Sequence, residues 1–157
     1  MISLDDFFVY LDEALDDMVE IVQQLGDDLS NQKPDYPGSN SPYAILTHCC
    51  GVMEDWGGHS IKGREIERDR PAEFVATGRV DALAEKVRVA RQKLESDVTD
   101  IRMDEPPRGA VDPQDVGRPL SRSQGGVLFH IYEELAQHRG QMEICRDVLL
   151  TNWVKLA

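Results

Sequence analysis

The chain has 157 residues, 41% of them hydrophobic, which is enough for one domain with a buried core. Its formal net charge of −12, without a compensating basic stripe, argues against nucleic acid and anionic membranes as partners, because both would repel it. No apolar run approaches ~20 residues and the N-terminus has no basic, apolar leader, so the sequence predicts neither a transmembrane span nor a signal peptide.

Four segments carry apolar residues at helical spacing, which predicts an all-α fold. The first helix is expected over about Leu4–Leu25. Ser3 and Asp6 have the spacing of a capping box at its start, and Gly26 is a plausible stop because glycine is common just after a helix.

The second helix is expected to begin near Pro42, because Ser41 is a good N-cap and proline suits the first helical position. His48 lies on the apolar face of this helix, and the helical signal weakens at Gly57–Gly58, with continuation as far as Ile61 as the alternative. A loop is expected to follow as far as Gly78.

The third helix is expected over about Asp81–Arg102, and the proline-rich segment Met103–Pro119 predicts a long irregular connection. The fourth helix is expected over about Ser121–Leu150, with Ser121 and Gln124 as a capping box. Since no segment shows strand-like alternation, residues 1–157 are expected to form one four-helix bundle.

The most informative residues are Glu134 and His138, which lie four apart on the stripe of the last helix that should face the core. A carboxylate and an imidazole at such positions are costly unless a group pairs with them, and a metal ion is one such partner. With His48 they form two histidines and one carboxylate, a set that leaves a fourth position on zinc for water or substrate. The same set suits ferrous iron, and a buried ion pair without metal is the alternative.

Other polar residues near this site keep two interpretations each. His130 lies too far along the helix from His138 to share one ion easily, so it is a cavity residue or a hydrogen-bonded boundary residue. Cys49 is a metal ligand, a reactive thiol or, most commonly for a free cysteine, a small core residue. Three cysteines, two of them adjacent, form no disulfide framework and favour a reduced, cytoplasmic setting.

Residues 45–56 and 130–141 resemble the second-helix and last-helix signatures of the DinB-like superfamily. They look most like its thiol-dependent branch, which includes mycothiol-dependent maleylpyruvate isomerase. The resemblance implies a four-helix bundle with a long crossover connection, a homodimer, and His48, Glu134 and His138 as metal ligands. Many members have histidine at the position of Glu134, whereas the thiol-dependent branch often has glutamate.

The function that this resemblance implies is a metal-dependent transferase. Its metal, zinc by default with nickel, iron or manganese as alternatives, would bind mycothiol, bacillithiol or glutathione as a thiolate that attacks a small electrophile. Arg139, next to the site in sequence, is expected either to contact substrate or to pack at the surface. The alternatives are a metal-dependent hydrolase using metal-bound hydroxide and a non-enzymatic dimeric helical bundle.

Overall fold

A computed structural model describes the backbone of residues 3–156 and the side chains of residues 3–151. It contains five α-helices, which are α1 (Leu4–Ser30), α2 (Pro42–Val52), α3 (Arg70–Glu73), α4 (Val80–Asp97) and α5 (Gln124–Leu156). A π-helical segment, Met53–Lys62, continues α2, and two 3₁₀ turns, Pro113–Asp115 and Pro119–Ser121, precede α5. Residues 3–156 contain no β-strand, so the predicted all-α class is confirmed. Over the same residues, no helix is both long and apolar enough to cross a membrane.

The four long helical segments share one hydrophobic core. Helix α1 packs against α2, α4 and α5, and α2 with its π-helical continuation packs against α4 and α5. The large apolar side chains that are most deeply buried come from all four segments: Leu11, Met18, Ile45, Leu46, Met53, Ile61, Leu83, Leu94, Ile131, Leu135 and Met142. The finer expectation of a DinB-like bundle with a long crossover connection stays a prediction.

Helix α1 begins as predicted but ends later. The hydroxyl of Ser3 accepts a hydrogen bond from the backbone of Asp6 at 3.0 Å, and the Asp6 carboxylate accepts one from the backbone of Ser3 at 3.2 Å. This capping box is therefore confirmed. Gly26 forms a kink rather than a stop: it adopts a φ of +66°, which glycine tolerates, and a further turn reaches Ser30.

Two side chains near the C-terminal end of α1 form hydrogen bonds with the backbone at the start of α4. The Asp27 carboxylate accepts a hydrogen bond from the backbone N–H of Val80 at 2.8 Å, so the cap of α4 comes from another helix. The Asn31 carboxamide exchanges two hydrogen bonds with the backbone of Gly78. Helix α4 then runs to Asp97, where it ends earlier than the sequence predicts.

Helix α2 begins at Pro42 as predicted, with the Ser41 hydroxyl accepting a hydrogen bond from its backbone at 3.2 Å. It does not weaken at the glycine pair but widens into the π-helix Met53–Lys62. A Cβ on Gly57 would lie 2.6 Å from the Leu94 Cδ1 atom of α4. The glycine therefore allows close packing of two helices and does not end one.

The predicted capping box at the start of α5 is wrong. Ser121 lies in a 3₁₀ turn, and the hydroxyl of Ser123 instead accepts a hydrogen bond from the first turn of α5 at 3.1 Å. The buried Gln124 side chain accepts a hydrogen bond from the backbone of Arg102 and donates one to the carbonyl of Pro106, each at 3.0 Å. The Gln124 side chain thus links the start of α5 to the long connection that precedes this helix.

Candidate metal centre

The three predicted ligands meet between α2 and α5. His48, Glu134 and His138 each offer one ligand atom, and these atoms lie within 4.8 Å of one another. Both histidines direct Nε2 at the same Oε2 atom of Glu134, each across 3.6 Å. That separation is too long for a hydrogen bond but close to the roughly 3.4 Å between ligand atoms around tetrahedral zinc. The donor set and its spacing therefore fit a small divalent cation.

His48 presents a free ring nitrogen to this centre. The residue is 2% exposed, and its Nε2 atom has no hydrogen-bond partner within the part of the chain that the structure describes. Its Nδ1 atom lies 2.7 Å from the Glu73 Oε2 atom. Because a carboxylate only accepts, we infer that Nδ1 carries the proton and Nε2 carries the lone pair. This is the tautomer that binds a metal through Nε2.

Glu73 and Arg68 form a second layer behind His48 that the sequence did not reveal. The Glu73 carboxylate also accepts hydrogen bonds from the Arg68 Nε atom at 2.8 Å and the Nη2 atom at 3.0 Å. Arg68 donates a further bond to Asp55 at 3.1 Å. Glu73 belongs to α3, in the stretch predicted as a loop, where no apolar periodicity marked an acid as buried.

His138 has its own hydrogen-bond partner on α5. Its Nδ1 atom lies 2.9 Å from the Gln141 Oε1 atom. Since an amide oxygen accepts, Nδ1 donates, and Nε2 is left to face Glu134. Both histidines therefore direct Nε2 at Glu134. The ring of His48 is oriented by a carboxylate, and the ring of His138 is oriented by an amide.

His130 lies one turn before Glu134 and outside the close group of ligand atoms. Its Nε2 atom is 3.9 Å from the Glu134 Oε1 atom, and its Nδ1 atom is 3.2 Å from the Glu133 Oε2 atom. The ring meets Trp56 edge to face with centroids 5.0 Å apart. Both predicted roles therefore describe it, because His130 is hydrogen-bonded and also lines a cavity.

Two of the three candidate ligands, His48 and Glu134, line a cleft of about 720 Å³, here called the triad cleft. His130 and Trp56 also line it, and residues 107–121 supply much of the remaining lining, here called the rim. Three arginines also line it, namely Arg68, Arg70 and Arg118. A small molecule in this cleft would contact both the candidate ligands and cationic side chains.

The family described as Mycothiol-S-transferase matches residues 6–150, which include all three residues of the triad. The chain belongs to this family. The match confirms the predicted resemblance to the thiol-dependent transferase branch. Comparisons with curated proteins and with solved structures gave no match.

Arg139 lies away from the triad cleft of this family member. Its guanidinium group forms ion pairs with Glu13 and Asp17 on α1, and the residue is not part of the cleft lining. The predicted contact between Arg139 and substrate stays a prediction, while its packing against α1 is what the structure describes.

His59 connects the π-helix to the rim of the cleft rather than lying free at the surface. Its Nδ1 atom is 3.2 Å from the Arg64 carbonyl oxygen, and its Nε2 atom is 3.1 Å from the Ala110 carbonyl oxygen. A Cβ on Gly109 would lie 2.8 Å from that Nε2 atom. The glycine therefore lets the rim segment lie directly on the ring.

The cysteines belong to the core of this Mycothiol-S-transferase family member. Cys49, next to His48, is completely buried, and burial raises the pKa of its thiol well above the ordinary value. Burial likewise raises the pKa of Cys50 to about 12. Cys49 is not among the grouped ligand atoms, so the structure gives it the core role rather than the ligand role.

The charges around the triad favour an ionised Glu134. His138, and next His48, lower the pKa of Glu134 far below its ordinary value. Burial lowers the pKa of His48, but Glu134 and Glu73 outweigh it and the pKa is raised. Burial raises the pKa of Glu73, but His48 and Arg68 outweigh it and the pKa is lowered. Two ionised carboxylates thus flank one buried imidazole, which is an environment that attracts a cation.

Proposed function

We propose that this member of the Mycothiol-S-transferase family is a metal-dependent enzyme that transfers a low-molecular-weight thiol, with mycothiol as the first candidate, to a small electrophile. The observation that carries the proposal is the buried Nε2 atom of His48, which lacks a hydrogen-bond partner among the described residues and faces Glu134 and His138. A buried polar atom without a partner is rare, and a metal ion would satisfy it. Zinc is the proposed metal, with nickel, iron and manganese as alternatives.

Each residue of the centre would have its own role in binding such an ion. His48 and His138 would bind it through Nε2, while their Nδ1 atoms keep their protons and donate hydrogen bonds to Glu73 and Gln141. Glu134 would contribute negative charge between the two rings. When bound, a divalent cation lowers the pKa of a thiol that coordinates it, so the thiol is deprotonated near neutral pH.

The triad cleft would hold the reacting molecules. Its volume of about 720 Å³ suits a small-molecule site, and Trp56 contributes an aromatic side chain to its lining. Arg70 offers positive charge at the cleft, whereas Arg118 is paired with Asp115, which also lines it. This charged and polar lining supports a polar electrophile better than a purely apolar one.

The first experiment measures stoichiometric metal. We expect the purified, zinc-supplemented protein to retain about one divalent ion per chain by mass spectrometry of metals, and His48→Ala to lose it. Glu20→Ala, a change at an exposed position of α1, is the control and keeps the wild-type content. A wild-type protein without bound metal would contradict the proposal.

The second experiment asks which thiol reacts. Mycothiol, bacillithiol and glutathione are each supplied with 1-chloro-2,4-dinitrobenzene; a carbon–sulfur bond forms, chloride leaves, and the thiol proton passes to solvent. We expect metal-dependent turnover with mycothiol. Turnover of an ester substrate that needs metal but no thiol would favour the hydrolase instead, and inactivity in both assays would favour a non-enzymatic bundle.

We also propose a homodimer, which the family resemblance implies, in the cytoplasmic setting that the three cysteines without a disulfide framework favour. Tyr10 and Phe129 are large and 58% and 63% exposed, and Tyr10 contacts Tyr132 on the same side of α1 and α5. Exposed aromatic residues of this kind are enriched at protein interfaces. Light scattering on the purified protein distinguishes one chain from two, and a single-chain mass would contradict the dimer.

A further inference from the structure

We infer that Glu73, held by Arg68 and accommodated by Gly51, is the positioning residue that fixes His48 for metal binding. The inference rests on the proposed metal centre and deepens it, because it names residues that set the affinity of the centre without binding the ion themselves.

The last residue of α3 and the residue that follows it contact the His48 ring on two sides. Glu73 accepts the Nδ1 hydrogen bond at 2.7 Å along the ring edge. The next residue, Phe74, stacks on the ring face with centroids 4.6 Å apart and an interplanar angle of 30°. A ring held at its edge and its face has one orientation, so Nε2 remains directed at Glu134.

Gly51 makes room for Glu73 on the surface of α2. It lies one turn after His48, and a Cβ at this position would be 2.1 Å from the Glu73 Oε1 atom and 2.7 Å from its Cδ atom. The backbone of Gly51 does not have a positive φ, so conformation does not require glycine here. Glycine weakens a helix interior, and the space needed by Glu73 is the reason for it at this position.

Arg68 fixes the carboxylate in turn. Its Nε and Nη2 atoms bind the two oxygens of Glu73 as a fork, and its Nη1 atom binds Asp55 of the π-helix at 3.1 Å. A planar guanidinium that binds both carboxylate oxygens sets the orientation of the carboxylate as well as its charge. The position of Glu73 is thus determined by α3, Arg68 and the π-helix together.

The main test measures zinc affinity by competition with a chromophoric chelator. We expect Glu73→Ala to weaken zinc binding about 10- to 100-fold, the usual effect of losing the partner of a histidine ligand. Glu73→Gln retains an oxygen that accepts from Nδ1, so it recovers part of the loss. Glu20→Ala, an exposed change on α1, keeps the wild-type affinity.

A second variant tests the position of Glu73 without removing any polar group. Gly51→Ala places a methyl group where the carboxylate lies and is expected to weaken zinc binding. Gly140→Ala is the matched control, because Gly140 is also helical and a Cβ there meets nothing within 4 Å. We expect the control to bind zinc as the wild type does.

Spectroscopy separates positioning from a purely structural role. In the metal-free wild type, nitrogen NMR of His48 should report a proton on Nδ1, whereas Glu73→Ala should show a mixture of tautomers. The visible spectrum of the cobalt-substituted protein should change in Glu73→Ala and Gly51→Ala but not in the two controls.

The outcomes distinguish this inference from the proposed function. A wild-type protein that binds neither zinc nor cobalt overturns the proposed metal centre and the inference with it. A wild-type protein that binds zinc, with folded Glu73→Ala and Gly51→Ala variants of equal affinity and unchanged cobalt spectra, overturns the inference alone.

Discussion

Two cavities are both lined by Arg68, and the smaller one is also lined by His48 and Glu134 of the candidate metal centre. The triad cleft is about 720 Å³, whereas a second cavity of about 890 Å³ lies between α2, α4 and residues 64–73. In the larger cavity Lys93 forms an ion pair with Glu54 at 2.8 Å, and the group of candidate metal-ligand atoms found among the described residues lies elsewhere. In the smaller cleft the Nε2 atom of His48 is left without a hydrogen bond among the described residues.

The larger cavity also contains a buried side-chain atom without a described partner, the hydroxyl oxygen of Thr47. A neutral hydroxyl is not among the usual protein ligands of zinc, and the grouped metal-ligand atoms lie at the other cavity. Volume alone would therefore favour the cavity that lacks the grouped metal-ligand atoms. The kind of atom left unsatisfied, and the side chains that face it, favour the triad cleft as the candidate site.

The largest expected effect comes from matched glutamates in the two cavities. Glu134→Gln removes the charge between the two histidines and should weaken zinc binding more than about 100-fold, beyond the effect of losing an outer partner. Thiol transfer should fall with it. Glu54→Gln makes the same change in the larger cavity and should leave both unchanged; equal losses in the two variants would remove the distinction between the cavities.

The connection between α4 and α5, which includes the rim of the triad cleft (residues 107–121), provides the next test. Gln124→Ala leaves the backbone N–H of Arg102 and the carbonyl of Pro106 without their partner. The free energy of unfolding should therefore fall by about 1–3 kcal/mol. Chemical denaturation measures this difference. Gln114→Ala, an exposed change on the same rim, should stay within about 0.5 kcal/mol of the wild type.

The pH dependence of stability tests the charge environment of His48. Its raised pKa in the folded state means that the protonated ring stabilises the metal-free protein fully below about pH 6.5. That contribution is lost as the pH rises through the folded-state pKa. The depressed pKa of Glu134 acts in the opposite sense, because its contribution is lost only as the pH falls into the acid range.

Zinc requires the neutral ring, so zinc affinity should rise over the same pH range in which the metal-free protein loses this stability. Thermal melting of the chelator-treated and zinc-loaded proteins across that range measures both trends. His48→Ala should flatten them, and a wild-type melting temperature that does not depend on pH would contradict the assigned environment.

The smallest effect is expected at Arg139. Its ion pairs with Glu13 and Asp17 are partly exposed, so Arg139→Ala should lower the free energy of unfolding by less than about 1 kcal/mol. The variant also tests the predicted substrate contact through its KM for the electrophile. A raised KM with unchanged zinc affinity would support that contact, and an unchanged KM would contradict it.

The sequence predicts the triad because its members break a pattern. His48, Glu134 and His138 are polar residues on apolar helical stripes, and each stripe is visible without tertiary information. The starts of α1 and α2 are likewise local, since Ser3 and Ser41 act within one helical turn. These elements were predictable because neighbouring residues decide them.

Glu73 and Arg68 were not predictable in the same way. They lie among many charged residues between α2 and α4, and their roles depend on tertiary contacts, the contact of Glu73 with His48 and that of Arg68 with Asp55. Gly51, a glycine in an otherwise apolar helix one turn after His48, is the local signal that could have indicated an inserted side chain. The π-helix and the role of Gln124 also depend on distant partners, which a 3.6-residue periodicity does not encode.

The burial of the cysteines affects how readily electrophiles can modify the protein. Cys49, Cys50 and Cys145 all have raised thiol pKa values, with burial as the main cause. Alkylation requires the thiolate, and a buried neutral thiol reacts poorly. Under the proposed function, an electrophile held beside His48 would therefore react with the thiol co-substrate in preference to the neighbouring Cys49. The cysteines of the core would then be spared modification by the molecules that the enzyme processes.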